Sequence, residues 1–364
     1  MKIAEIIQTI EDFAPLAYQE SYDNAGLLIG NKNTECSGVL ICLDALEAVI
    51  DEAIAKKFNL VVAHHPIIFS GLKKITGKNY IERVVIKAIK HDIAIYACHT
   101  NLDNVRLGVN NKIADSLGLK NRKILAPKNG LLKKLFTYVP TIHKEKLLNA
   151  LFAAGAGNIS NYSECSFSTD GIGTFKGNEQ SNPYIGKKME RSYEPESKIE
   201  VIFPKNIEQK IRRTLLENHP YEEVAYEIIS LDNTYQEIGS GLLGELEKPV
   251  AEKEFLSFLK QKMKTQCIRY TALRKRKIRH VAVCGGAGSF LLDTAIAQQA
   301  DIFITADFKY HQFFDADNQI LIADIGHYES EQFTAQLFNK IISEKFPTFA
   351  VQISTINTNP INYI

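Results

Sequence analysis

NLVVAHHP, residues 59–66, sets the reading of the chain: four apolar residues, then His64 and His65, then Pro66. The run is a short buried strand that stops where polar chemistry begins. Two imidazoles at such a point must face a cleft or a metal, because an unpaired ring buried in a sheet is costly. Three further apolar runs end alike. Ile93 to Cys98 gives His99, Asn101 and Asp103; Ile302 to Thr305 gives Asp307 and His311; Gln319 to Ala323 gives Asp324, His327 and Glu331. Ligands of open α/β sheets bind beyond the carboxyl ends of their strands, so these distant groups can converge.

Around these strands the outer parts of the chain alternate strand and helix. Ile3, Ile6, Ile7 and Ile10 line one face of an opening helix. Val39 to Leu43 is a strand, Leu46 to Lys57 a helix and Ile81 to His91 another. The alternation predicts a largely parallel, helix-covered sheet. From about Gly130 the rhythm becomes strand, helix, strands, helix, strand: Lys134 to Val139, His143 to Ala154, Cys165 to Phe175, Ile199 to Phe203, Ile207 to Glu217 and Val224 to Leu231. That order predicts a ferredoxin-like α+β module, with polar Gly177 to Ser197 as an exposed loop. After Gly239-Ser240-Gly241 the first rhythm returns, closing on a long helix from Glu329 to Ile342. The expectation is a mixed-sheet α/β core, 1–129 and 239–364, interrupted by an inserted α+β domain, 130–238, with glycine linkers at the junctions.

A formal net charge of +1 gives no global electrostatic reason for nucleic acid or membrane partners. Glu5, Glu11 and Asp12 interrupt the first helix, so it is neither a signal peptide nor a membrane span. None of the six cysteines forms a C-x-x-C pair, and several sit in apolar strands. Buried free thiols in a reducing cytoplasm are expected, and thiolate ligation is not.

His327 and Glu331 stand four apart at the start of a helix and so share a face. If the strand continues, His64 and His65 point to opposite faces, so the two rings can each serve a different metal. Glu331 suits a bridge between two ions, and Asp103 supplies a further oxygen. Nitrogen and oxygen donors suit Zn, Fe, Mn or Ni. His99 and His311 are candidates for proton transfer or substrate contact, or else for merely orienting a ligand. Tyr22, Asp23 and Asn24 line the same cleft or form a plain turn. Cys284-Gly285-Gly286-Ala287-Gly288-Ser289 offers amides to a phosphate or, the better reading, makes a tight strand-to-helix turn. Arg274-Lys275-Arg276-Lys277 reads as a solvated loop rather than a nucleic-acid contact.

AHHPIIFSGLKKI (63–75), ACHTNLDNV (97–105) and ADIGHYESE (323–331) resemble the Nif-three-like family of GTP cyclohydrolase 1 type 2 homologues, as do YDNAGLLIG (22–30) and ADFKYHQ (306–312). TDGIGTFKG (169–177) and HPYEEVAYEI (219–228) are similar to the PII-like or CutA-like insert of the longer bacterial members. The resemblance implies two divalent metal ions per chain, zinc first and Fe, Mn or Ni as alternatives. They would be held by His64, His65, Asp103, His327 and Glu331, with Glu331 bridging. It also implies a homohexamer, trimers stacked into a hollow toroid with the metal sites facing inward. Tyr22 stands where members often carry Trp, and Ala306 where many carry Gly; neither is a ligand. Chemistry of this kind delivers water to C8 of a purine, opens the imidazole ring and releases formate. Two classes of function remain: a metal-dependent hydrolase of a nucleotide or other small molecule, and a non-catalytic regulatory or scaffold hexamer whose insert binds an effector or partner.

Overall fold

The computed structural model describes residues 1–364, and these form two compact units: 1–126 with 237–364, and 127–236. The first unit is mixed α/β and holds two mixed sheets, where the alternation of elements had suggested one. Its strands are β1 (Gly26–Ile29), β2 (Val39–Asp44), β3 (Leu60–His65), β4 (Ala94–Ala97) and β5 (Lys120–Lys128). The second unit supplies β6 (Leu132–Pro140), β7 (Ser166–Lys176), β8 (Arg191–Pro204) and β9 (Tyr226–Leu231). The first unit resumes with β10 (Tyr235–Ala251), β11 (Arg269–Tyr270), β12 (Lys277–Ala287), β13 (Ile302–Ala306), β14 (Leu321–Asp324) and β15 (Val351–Ile353).

One sheet has the order β1-β4-β3-β2-β15 and the other β11-β14-β13-β12-β10-β5. The inner strands β15, β2, β3 and β4 run parallel, as do β12, β13 and β14, while β1, β10 and β11 are antiparallel additions. Parallel strands are covered on both faces, which is why β3 is buried from Leu60 to His64 without alternation. Register then places polar groups in pairs at the strand ends: Asp44 lies opposite His65, and Thr305 opposite Asp324. Side chains paired this way share a face of the sheet.

The second unit packs helices Lys144–Ala154 and Glu208–Asn218 on an antiparallel sheet of order β7-β8-β6-β9. Leu147, Leu151, Ile211 and Leu215 meet Val201 and Phe203 in its core.

Several expected boundaries move. Strand β8 begins at Arg191, so the polar stretch from Gly177 is a loop only as far as Glu190. Gly239, Ser240 and Gly241 lie inside β10 rather than in a free linker. The closing helix is broken into His327–Glu331 and Thr334–Lys345, which lets the short piece turn its first residues towards the strand ends. Arg274, expected in solvent, is withdrawn from it: its guanidinium donates to the carbonyls of Gln319 and Asp301 and faces Glu252. Four cysteines are buried as expected, but Cys267 is exposed.

Helix Tyr80–Lys90 shows how a local device anchors the chain beyond β3. The Asn79 side chain accepts the Glu82 amide at 2.9 Å, and the Glu82 carboxylate accepts Thr76 N–H and O–H at 2.7 Å and Lys78 N–H at 3.0 Å. The Thr76 and Lys78 bonds hold the Glu82 carboxyl down at about 2. A depressed folded-state pKa stabilises the fold above the unfolded value of 4.5, and that contribution is lost as pH falls through about 2. Glu82→Gln is therefore expected to lower the urea midpoint at pH 7, with the gap to the parent narrowing as pH drops from 4.5 towards 2. A gap independent of pH would refute the assignment.

Candidate metal centre

Strand β3 delivers His64 and His65 from one sheet; the turn after β14 delivers His327 and Glu331 from the other. The two imidazoles of β3 part less than extended strand geometry predicts, with ring centroids 4.9 Å apart, but far enough to serve different oxygens of one carboxylate. His64 Nε2 lies 3.8 Å from Glu331 Oε1 and 3.6 Å from Asp103 Oδ1. His65 Nε2 lies 2.9 Å and His327 Nε2 3.2 Å from Glu331 Oε2. Two groups of donors thus flank one buried carboxylate: His64, Asp103 and Glu331 on one side, His65, His327 and Glu331 on the other.

Every ring is held by its other nitrogen, leaving Nε2 to face the cluster. His64 Nδ1–H donates to Cys98 O at 2.9 Å, His65 Nδ1–H to Asp44 Oδ1 at 2.7 Å, and His327 Nδ1–H to Asp307 Oδ2 at 2.6 Å. Such outer partners fix ring orientation and raise ligand basicity. Asp307 takes a left-handed φ of 57°, which Asp tolerates, and so turns its carboxylate to His327. Asp44 is held in turn by Thr358, whose Oγ1–H donates to Asp44 Oδ2 at 2.6 Å from the C-terminal tail.

The cluster is electrostatically loaded. Burial opposes a charge on His65, but hydrogen bonds to Asp44 and Glu331 outweigh it and raise this imidazole to about 10. Burial likewise opposes a charge on His327, and Asp307 and Glu331 overcome it to raise the ring to about 11. Burial pushes the Asp103 carboxyl up, and the neighbouring Glu331 charge adds to that. Burial would push Glu331 up too, but hydrogen bonds from His327 and His65, with the His64 ring 3.8 Å away, hold it well below the ordinary carboxylate range.

Fit to metal is tested by what the protein itself leaves unsatisfied. His64 Nε2 and Asp103 Oδ1 are buried with no hydrogen-bond partner. Buried polar atoms are rarely left so, and a pair aimed at the same carboxylate suits a cation. The donor set of imidazoles and carboxylates, with no thiolate, fits a divalent ion.

His99 joins the cluster: its ring lies 5.4 Å from those of His64 and His65, and its Nδ1–H donates to Asp23 Oδ1 at 2.8 Å. Burial works against the charge on Asp23, yet bonds from His99 and Thr100 hold its carboxyl at about 2. Asp23 is thus part of the site, and Tyr22 lines a hollow of about 220 Å³ beside it. Asn24 instead donates to Ile68 O. His311 does not join. It is exposed on the turn Tyr310–Ala316, stacked edge-on to Tyr310 at 5.1 Å. Three amides of the glycine segment are already committed, since Gly285, Gly286 and Gly288 donate to Asn110, Ser330 and Thr305. Its role is space: a Cβ on Gly286 would lie 2.5 Å from Glu331 Oε1.

Reading the sequence missed Asp44, Thr358 and the fit of Gly286 to Glu331. Asp44 ends the apolar run VLICLD of β2, the same signal that marks β3. Thr358 carries no local signal.

Two mixed sheets whose parallel strands end at a buried cluster of imidazoles and carboxylates define a mixed α/β protein able to hold a metal ion. The chain belongs to the Duf34/NIF3 (NGG1p interacting factor 3) family, which matches residues 1–360. A Bacillus subtilis (strain 168) relative called GTP cyclohydrolase 1 type 2 homolog is 39% identical over 366 residues, 99% of this chain and 98% of its own. The crystal structure of a Bacillus cereus protein related to NIF3 superposes with a TM-score of 0.88 at 35% identity, covering 100% of this chain and 99% of that one. A Staphylococcus aureus crystal structure does so at 0.79 and 30%, covering 100% and 99%. No helix is long and apolar enough to cross a membrane.

Proposed function

We propose that the protein is a dinuclear metal-binding hydrolase that acts on a nucleotide or related small molecule, in the manner its relatives' name suggests. The observation that carries this is the pair of orphaned buried atoms, His64 Nε2 and Asp103 Oδ1, facing one oxygen of Glu331 while His65 and His327 face the other. His64, Asp103 and Glu331 would hold one ion, and His65, His327 and Glu331 the second. Two bound divalent ions supply an activated water at neutral pH and a clamp for developing negative charge. Zinc suits these donors first, with Fe, Mn or Ni as alternatives.

The chain's own residues do the rest. Asp23 orients His99 with Nε2 towards the cluster, where the ring can accept or deliver a proton at the hollow. Tyr22 and Phe69, 64% and 50% exposed with centroids 6.4 Å apart, offer ring faces at the mouth for a planar base to stack on. The strand order of residues 127–236 supports a ferredoxin-like, PII- or CutA-like insert. A homohexamer and a cytoplasmic location complete the reading, the latter supported by six free thiols.

The test is formate release from GTP by the metal-loaded protein. Since outer partners of metal ligands typically cost 10–100-fold, loss of a ligand in His65→Ala should reduce turnover at least about 100-fold, with mass in solution unchanged. Turnover that survives His65→Ala, or its absence across purine nucleotides in protein carrying both ions, would overturn the hydrolase. Absence of turnover would then favour the regulatory reading, which draws its support from a cavity in the second unit.

A further inference from the structure

That cavity, about 590 Å³, lies wholly within residues 127–236. Its walls combine rings and acids. Tyr221 stands between Phe175, 5.9 Å away at 58°, and Tyr184, 6.5 Å away at 52°, so three ring faces enclose one corner. Glu196, Glu222 and Glu223 also line it, against one basic residue, Lys176. Glu222 Oε1 accepts the Asn182 N–H at 2.7 Å, a neutral donor that leaves its charge uncompensated. Glu196 is aimed deliberately: Oε1 accepts the Tyr221 hydroxyl at 2.7 Å, and Oε2 occupies the place that a side chain on Gly173 would fill, 1.9 Å from the added Cβ.

His219 packs edge-on to Tyr221 at 5.2 Å and is fixed as a neutral ring. Its Nε2–H donates to Tyr138 O at 2.9 Å, while Nδ1 accepts the Tyr221 amide at 3.1 Å. The imidazole behind the cage therefore adds no positive charge.

We propose that this cavity binds a small organic cation, an alkylammonium group seated against Phe175, Tyr184 and Tyr221 with Glu196 as its counter-charge. Aromatic faces attract a cation through the ring quadrupole, and the half-buried Glu196 carboxylate reinforces them. The same walls repel a phosphate-bearing effector. Because every lining residue belongs to the second unit, the inference stands apart from the metal cluster.

Calorimetry on the full chain tests it with three probes: choline, its uncharged isostere 3,3-dimethylbutan-1-ol, and ATP. Choline should bind saturably, the isostere at least about tenfold more weakly, and ATP more weakly than choline. Tyr221→Ala and Glu196→Gln should each weaken choline about tenfold or more, and Glu331→Gln should leave it unchanged. Should Tyr221→Ala fail the circular dichroism check for folding, Glu196→Gln and Tyr184→Ala carry the decision. No saturable choline heat, equal binding of the isostere, preference for ATP, or binding untouched by Glu196→Gln would each overturn the proposal.

Discussion

Glu331→Gln is expected to empty the cluster, from about two ions per chain in the parent to near none after dialysis. The carboxylate is only 3% exposed and uses both oxygens, Oε1 towards His64 and Oε2 towards His65 and His327. A carboxamide keeps the shape but presents one neutral oxygen and an NH2 group, so one side of the bridge meets donors instead of an acceptor. It also removes the negative charge that offsets two imidazoles held protonated in the absence of an ion. Elemental analysis gives the primary readout, with mass in solution as the control for folding. Added zinc should raise the melting temperature of the parent, since a ligand at 100 times its Kd stabilises by about 2.7 kcal/mol; the variant should not respond. Retention of both ions by a folded variant would remove Glu331 from the bridging role.

Gly286→Ala is the second large effect. The added Cβ would stand 2.5 Å from Glu331 Oε1 and 3.3 Å from His327 Cε1, on a backbone with φ of 62°. Either the carboxylate or β12 must move, and both form the site. Gly118→Ala separates the causes, because that glycine has φ of 69° and nothing within 4 Å of a Cβ. The control should cost about 1 kcal/mol of stability through backbone strain alone and keep its metal. Gly286→Ala should pay that strain and lose metal as well. Equal metal content in the two variants would show that the close approach to Glu331 is not needed for binding.

What the sequence disclosed, and what it withheld, follows from the range of each interaction. An unbroken apolar run ending in polar residues is a local signal, and it located His64, His65, His99, Asp103, His327 and Glu331, which the fold brings together. Applied to VLICLD, the same signal would have yielded Asp44, whose partnership with His65 is written in the β2–β3 register. It misled at His311, because nearness to a strand end says nothing about which way a following turn carries the ring. The division into two sheets was hidden because strand-helix alternation looks the same whether strands join one sheet or two. Thr358 and Gly286 matter through contacts with Asp44 and Glu331, far away in the chain, and no periodicity encodes such contacts.

The parallel pairing of β15 with β2 also orders events during synthesis. His65 and Glu331 are 266 residues apart, a separation that a ribosome moving at 5–20 residues per second spans in roughly 10–50 s. For most of that interval the nascent chain carries His64, His65 and Asp103 without the carboxylate that joins them. Only when β15 docks at the edge of β2 and Thr358 reaches Asp44 is the arrangement closed. The two groups of donors around Glu331 can therefore be assembled only after synthesis has passed Glu331, and the hold on Asp44 comes later still, with Thr358.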